Sequence, residues 1–207
     1  WEITDDVTII FHIRKGIHWH DKPPVYGREF DAHDVAYNIR RIYFNTPSSP
    51  MWNIAGVARP VDIYAPDNWT VIVQAPEGFV GKTWEYIADR TRMFPIEVIE
   101  KYGYHNQWEY VTGTGPAILT DYVPMSSATY TRNPDYWMKD PLHPDNRLPY
   151  WDSLKTVIMP ELNTRIAAIR IGKVDYLLES DLEWPEASPL LEANPELHFS
   201  EGLLADI

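Results

Sequence analysis

Histidine and aspartate side chains close together in the first part of the chain have the chemistry of metal ligands. His18-Trp19-His20 carries two imidazoles two residues apart, which a strand would place on one face, and Asp21 and His33-Asp34 lie nearby in the sequence. Two imidazoles and a carboxylate can hold a transition metal, but a single His-x-His pair does not define a complete ligand set. We therefore predict no metal site and no cofactor, and keep metal binding as an alternative.

Paired carboxylates are the second candidate for chemistry, because a glycoside hydrolase places two of them across its cleft. Such pairs occur at Asp5-Asp6, at Glu179 and Asp181, and at Glu183 and Glu186. The chain has thirty acidic residues, so pairs arise by chance, and none lies in a motif that would tune its pKa. The sequence has no G-x-S-x-G motif and no cysteine to supply a nucleophile. We predict no catalytic residues and keep a glycoside hydrolase as the remote alternative.

The composition of the chain disfavours several classes of binding partner. A net charge of -12 disfavours nucleic acid and anionic membranes, which repel a surface of that sign. No apolar run approaches the roughly 20 residues of a membrane helix. Nine Trp and thirteen Tyr suit either the walls of a cleft or a core beneath Pro-rich loops. The chain opens on Trp1 inside a motif and ends at Asp206-Ile207 in an expected strand, so we expect it to be an excised piece of a longer protein.

The elements that must position these residues begin with Val7–Asp21. Apolar residues alternate from Val7 to Ile13, which predicts a half-buried strand, and Lys15-Gly16 then breaks the run. A loop is predicted over Lys22–Phe30. The next helix is expected to be capped by Asp31 and to bury an apolar stripe at helical spacing, formed by Val35, Ala36, Ile39, Ile42 and Tyr43.

The pattern of the remaining chain changes near Tyr110. Before it, the sequence predicts a hairpin and two helices, at Val61–Tyr64 with Trp69–Val73, at Thr83–Ala88 and at Pro95–Tyr102. After it, strands and helices alternate, which predicts crossover units with some parallel pairing. The expected elements there are the strands Leu154–Met159 and Val174–Leu178 and the helices Arg165–Ile171, capped by Asn163-Thr164, and Pro185–Ala193.

Several motifs occur together in one order along the chain. They are Phe11–Gly16 with His20-Asp21, Ala32–Tyr37, the G-T-G-P turn Gly113–Pro116, the R-N-P-D-Y-W run Arg132–Trp137, and Asn163–Ile169 with Gly172–Asp175. This series resembles the extracellular solute-binding proteins of family 5, the peptide- and nickel-binding components of ABC importers. One departure is Ala117, where the family usually has an aromatic residue after the G-T-G-P turn.

The resemblance implies an α/β fold of the type II periplasmic-binding-protein kind. It also implies that the chain is a partial first lobe with an inserted, mainly β subdomain. The change of pattern near Tyr110 places the boundary between these two parts. We therefore predict that residues 1–110 form the inserted subdomain and residues 111–207 form part of the first lobe proper.

The resemblance implies three segments that contact the ligand. Met51-Trp52 lies where peptide-binding relatives carry an aromatic residue from the inserted subdomain. Leu178-Glu179-Ser180 lies at the C-terminal end of an expected strand, on the cleft side. Gly202, Leu203 and Asp206 belong to a segment that pairs with ligand in those relatives, and this chain has no tyrosine there, so its ligand or mode of contact is expected to differ.

The function implied by the resemblance is binding of a small peptide or similar solute between two lobes, outside the cell, followed by delivery to the permease subunits of an ABC importer. The protein is expected to be a monomer in the periplasm or extracellular space, and lipid anchoring to the outer face of the cytoplasmic membrane is left open. Binding of nickel, a metal chelate or an oligosaccharide by the same fold is the alternative.

Overall fold

The computed structural model describes residues 1–44, 59–103, 107–177 and 182–199. Contacts divide the chain into two compact units, Trp1–Tyr122 with Ala128–Lys155, and Val123–Ser127 with Thr156–Ile207. The strands are β1 (Glu2–Ile3), β2 (Thr8–His12), β3 (Asp62–Asp67), β4 (Thr70–Gln74), β5 (Ala117–Val123), β6 (Ser127–Arg132) and β7 (Ser153–Val157). The α-helices are α1 (Ala32–Phe44), α2 (Val80–Arg90), α3 (Ile96–Tyr102), α4 (Leu162–Arg170) and α5 (Trp184–Ala193). The boundary predicted near residue 110 stays a prediction.

A four-stranded antiparallel sheet with the order β1-β2-β4-β3 lies in the first unit. Ile9 of β2 and Ile63 of β3 both lie opposite Val73 of β4, so one aliphatic row crosses three strands. All three side chains are fully buried, whereas His12 at the end of β2 is exposed. The alternation predicted for the strand after Val7 is therefore confirmed.

Helix α1 covers this aliphatic row and completes the main core. Asp31 caps the helix as predicted, because its Oδ1 accepts the backbone N–H groups of His33 and Asp34 at 2.9 and 3.1 Å. The predicted apolar stripe lies on the buried face, where Ile39 and Tyr43 are fully buried in the same cluster as the sheet residues. Burial of each such side chain contributes about 1.5–3 kcal/mol.

Helices α2 and α3 of the first unit both lie where the sequence predicts a helix. Helix α2 covers Val80–Arg90, so it begins earlier and ends later than the predicted Thr83–Ala88. Helix α3 starts directly after Pro95 and ends before Gly103, whose φ of 78° is a conformation that favours glycine. The predicted helix after Pro95 is confirmed.

The three-stranded sheet has the order β5-β6-β7. Strands β5 and β6 are joined by only three residues, a connection that permits antiparallel pairing alone. The Arg132 N–H donates to Asp152 O, and the Ile158 N–H donates to Ser126 O, so β7 also runs antiparallel to β6. In the described residues after Tyr110 the pairing is thus antiparallel, and the parallel pairing expected from strand–helix alternation is absent from them.

Two further expectations for the second half are wrong. Val174–Leu177 does not form a strand, because residues 174–177 adopt a bend and irregular structure. Leu178 lies outside the described residues. Helix α4 begins one residue before Asn163 and follows Glu161, with no side-chain cap, so Asn163-Thr164 lies inside the helix. Apolar alternation and cap residues are local preferences that the tertiary structure can override.

Among the described residues, no helix is both long enough and apolar enough to cross a membrane.

Candidate ligand-binding site

The ligand-contacting residues predicted from the sequence all lie outside the described residues. These are Met51, Trp52, Leu178, Glu179, Ser180, Gly202, Leu203 and Asp206. They remain predictions.

A cleft of about 410 Å³ lies in the first unit, and we call it the Trp19–Trp137 cleft. Its volume is within the range of roughly 300–1,000 Å³ found for ligand sites. Two segments line it, one at residues 18–27 and one at residues 135–147, and the lining side chains are those of His18, Trp19, Asp21, Asp135, Tyr136, Trp137, Lys139 and Arg147, together with Gly27. The cleft therefore joins the first family motif to the R-N-P-D-Y-W motif far along the chain.

Trp19 anchors the first wall of the cleft. Its side chain is only 2% exposed, its indole N–H donates to Asp34 Oδ2 at 3.1 Å, and its ring lies edge-on to Phe30 at 5.3 Å. Its backbone N–H donates to Arg28 O at 3.0 Å, which closes the loop between residues 19 and 28. The tryptophan is thus fixed in position by packing and by two hydrogen bonds.

Asp34 is the centre of a charged network beneath this wall. Arg28 donates two hydrogen bonds of 2.8 Å to the two oxygens of Asp34, and two more of 2.6 and 2.9 Å to Glu97 on α3. These bonds, first those to Asp34, raise the pKa of Arg28, and the bond from Arg28 lowers the pKa of Glu97. In the sequence, Asp34 is considered only as a carboxylate near the His18–His20 pair, and its place in the Ala32–Tyr37 motif is the available signal for a structural role.

His20 ties the first wall to the G-T-G-P turn. Its backbone N–H donates to Gly113 O at 2.8 Å, its Nδ1 accepts the Gly113 N–H at 3.3 Å, and its Nε2 donates to Gly115 O at 2.9 Å. Lys22 adds hydrogen bonds to Val111 O and Leu119 O at 3.2 and 3.0 Å. The ring is therefore held as the neutral tautomer with its proton on Nε2.

Gly113, the first glycine of the G-T-G-P turn, is not required there by a lack of space for a side chain. A Cβ added at Gly113 would lie 3.7 Å from Cε1 of His20, which is an ordinary van der Waals contact. The hydrogen bonds between the Gly113 backbone and His20, rather than a steric limit, hold the two segments together.

Burial of His20 predicts a pH dependence of stability. Burial lowers the pKa of this imidazole, the nearby Lys22 charge acts in the same direction, and the hydrogen bond to Gly115 opposes them. Because the folded-state pKa lies below that of the unfolded chain, the unfolded chain binds more protons as the pH falls below about 6.5. We expect the His20 contribution to be complete above that pH and to be lost below it, with a slope of at most about 1.4 kcal/mol per pH unit.

Urea unfolding at a series of pH values between 5 and 8 measures this contribution. His20→Gln should flatten the profile, because it removes the buried imidazole. An unchanged slope in His20→Gln would mean that another group titrates.

Asn133 fixes the second wall. Its backbone N–H donates to Pro116 O at 2.8 Å, its side-chain Nδ2 donates to Gly115 O at 3.0 Å, and its Oδ1 accepts the Asp135 N–H at 3.0 Å. Gly115 O thus accepts hydrogen bonds from both His20 and Asn133. Because one carbonyl joins the segments that carry the two walls, the cleft is preorganised.

The two histidines considered as metal ligands have different surroundings. His18 is exposed and its Nδ1 lies 2.8 Å from Gly27 O, whereas His20 is 5% exposed and both its ring nitrogens contact backbone atoms. In the described ranges no group of three or more His, Cys, Asp or Glu side chains is arranged to hold a metal ion. His18 forms only an isolated bridge with Glu29 and residues 19–20 are in no strand, so the expected strand that would present both rings on one face is absent.

Comparison with known protein families gives a match over nearly the whole chain. The sequence profile of the bacterial extracellular solute-binding proteins, family 5, middle region, matches residues 1–202. Di/tripeptide-binding protein 1 of Pseudomonas aeruginosa is 23% identical over 99% of this chain and 40% of its own length. A probable peptide ABC transporter periplasmic-binding protein of Sinorhizobium fredii is 28% identical over 95% of this chain and 36% of its own length. The chain thus spans well under half of the relatives it matches.

Solved structures share the fold at low sequence identity. The oligopeptide-binding protein AppA of Bacillus subtilis, solved with a nonapeptide, superposes with a TM-score of 0.72 at 15% identity, over 94% of this chain and 36% of its own. The substrate-binding protein CtaP of Listeria monocytogenes gives 0.67 at 19% identity, over 93% and 37%. NikA of Brucella suis, solved with Fe(III)-EDTA, gives 0.66 at 20% identity, over 84% and 32%.

Proposed function

The chain belongs to the bacterial extracellular solute-binding proteins of family 5, and on this premise we propose that the whole protein binds a small peptide between two lobes and delivers it to the permease of an ABC importer. The match of the family profile over residues 1–202 carries the proposal. The α/β fold is of the type II periplasmic-binding-protein kind, and the chain covers part of it. Two relatives are named for peptides, which favours a peptide over other solutes.

Closure of two lobes around the ligand is the mechanism we propose. A hinged protein shifts from an open to a closed population when the ligand contacts both lobes, and the free energy of that shift comes from contacts made only in the closed state. This chain supplies part of one such protein, so we expect its affinity for the transported peptide to be weak when it is tested alone. The ligand contacts assigned to this chain are the predicted segments at Met51-Trp52, Leu178-Glu179-Ser180 and Gly202–Asp206.

We place the protein in the periplasm or the extracellular space and keep the monomeric state and the absence of catalysis as parts of the proposal. The family name carries the extracellular location. Acyl-chain analysis of the natural protein tests whether a lipid anchor attaches it to the outer face of the membrane.

Calorimetry on the full-length protein tests the peptide proposal. We expect saturable binding of di- or tripeptides, and we expect Trp52→Ala to weaken it by about 10-fold or more, because a buried aromatic contact is typically worth over 1 kcal/mol. The matched control is Trp1→Ala, since Trp1 is 64% exposed. Binding of a nickel chelate or an oligosaccharide in place of every peptide would overturn the proposal, and loss of nickel binding in His18→Ala or His20→Ala would assign the metal to those residues.

A further inference from the structure

We propose that the Trp19–Trp137 cleft is a second binding site, for a small zwitterion with an aromatic or apolar side group, in the size range of a free amino acid or a dipeptide. None of the side chains that line the cleft is among those predicted to contact the transported solute. The proposal therefore stands on the described residues alone and is independent of the peptide site in the interlobe region.

The charges of the cleft are balanced and are not paired with each other. Asp21 and Asp135 contribute two carboxylates, and Lys139 and Arg147 contribute two cations. Within the described residues none of these four side chains forms an ion pair. The one side-chain hydrogen bond that any of them makes there is from Arg147 Nη1 to the backbone O of Pro134, at 3.5 Å. Their charges are therefore left to solvent or to a ligand.

Balanced charge selects the class of ligand. An anion entering the cleft would meet two carboxylates, and a cation would meet a lysine and an arginine, so each would gain attraction and repulsion together. A molecule that carries an ammonium and a carboxylate at separate positions can pair each with the opposite sign. His18 also lines the cleft, and because its Nδ1–H donates to Gly27 O, Nε2 is the ring nitrogen that remains available to a ligand.

Aromatic rings supply the apolar part of the site. Trp19, Tyr136 and Trp137 all line the cleft, and the rings of the last two lie 5.7 Å apart at an angle of 58°. The guanidinium of Arg14 lies 4.4 Å from the centre of the Trp137 ring and fixes that ring, although Arg14 itself is not a lining residue. A ligand side group that is aromatic or apolar would cover the half-buried rings of Tyr136 and Trp137, whereas Trp19 is already buried by the protein and shapes the wall.

The walls need little ordering when a ligand binds. His20 and Asn133 connect them to the same carbonyl, and Trp19 is buried and hydrogen-bonded to Asp34. A preorganised site loses less conformational entropy on binding, which favours affinity without additional contacts. The charged lining side chains are exposed, however, and exposed ion pairs contribute little, so the expected dissociation constant is in the high micromolar to millimolar range.

An amide NMR titration of the 207-residue chain tests the site, with the dipeptide Gly-Phe as the probe at low ionic strength. We expect saturable shifts at the amides of residues 18–27 and 135–147. The N-acetylated and the C-amidated forms of Gly-Phe should each bind about 1.5- to 5-fold more weakly, which is the range for loss of one exposed ion pair. Asp135→Asn and Lys139→Met should weaken Gly-Phe to a similar extent.

Two controls separate this site from general charge effects and from the transported-solute site. Asp145→Asn and Lys155→Met change exposed charges that do not line the cleft, and both should leave the affinity unchanged. Trp52→Ala should also have no effect, even though it is expected to weaken peptide binding by the full-length protein. Equal binding of the blocked dipeptides, shifts that fall elsewhere, loss of binding in Trp52→Ala, or no saturable shift at all would each overturn the proposal.

Discussion

Asparagine in place of Asp34 is expected to lower the free energy of unfolding by about 3 kcal/mol or more, because it breaks a buried ion pair from one side. The Asp34 side chain is fully buried and accepts hydrogen bonds from Arg28 and from the indole of Trp19. Asparagine keeps the volume but removes the charge that Arg28 is placed to meet. Arg28 is one-third exposed and keeps Glu97, so the loss should lie near the lower end of the range for buried pairs.

Urea unfolding followed by tryptophan fluorescence measures this loss, and two variants control it. Glu97→Gln removes the outer, partly exposed partner of Arg28 and should cost under about 1 kcal/mol. Asp145→Asn, at an exposed position, should cost nothing measurable. If Asp34→Asn were as stable as Glu97→Gln, the network would not support the first wall of the cleft.

Truncation of Asn38 is expected to have the second-largest effect, a loss of about 2–3 kcal/mol, because a buried side chain that satisfies backbone groups is removed. Asn38 is fully buried on α1, its Nδ2 donates to Phe94 O at 2.8 Å, and its Oδ1 accepts the Phe94 N–H at 3.1 Å. Asn38→Ala therefore takes away both of these partners of the Phe94 backbone, directly before α3. The free energy of unfolding in urea again measures the effect.

Hydrogen exchange distinguishes a local loss of protection at Phe94 from a general loss of stability. We expect the Phe94 amide in Asn38→Ala to exchange faster by more than the change in global stability accounts for. Asn146→Ala, which removes an exposed hydrogen bond to Tyr150, is the matched control and should change stability by under about 0.5 kcal/mol. An Asn38→Ala variant with unchanged protection at Phe94 would contradict the role assigned to this side chain.

The elements of the first unit could be predicted from the sequence because local pattern and tertiary packing agree there. The alternation after Val7, the Asp31 cap and the stripe through Ile39 all describe surfaces that the folded chain buries or caps in the same way. The expected strand is absent over its described part, Val174–Leu177, and Asn163-Thr164 does not cap α4, since both features depend on neighbours that a single sequence does not reveal.

The site could be predicted only in part. The motifs brought His20, the G-T-G-P turn and Asn133 to attention as family features, and the structure shows that their shared partner is one carbonyl, Gly115 O. The Ala32–Tyr37 motif drew attention to Asp34 but not to its burial, because a polar residue in the first turns of a helix is usually solvated. The role of Asn38 was not predictable, because its partner Phe94 lies 56 residues away in the sequence. The meeting of residues 18–27 with residues 135–147 likewise requires the folded chain.

Native mass spectrometry of the full-length protein, purified without added ligand and then denatured to release what it carries, tests the central claim most directly. Solute-binding proteins that enclose their ligands retain them through purification when release is slow. We predict a released mass, or a set of masses, that fragments as short peptides, and its loss in Trp52→Ala. Release of a metal chelate or an oligosaccharide, still carried by Trp52→Ala, would contradict the proposal that the whole protein binds peptides.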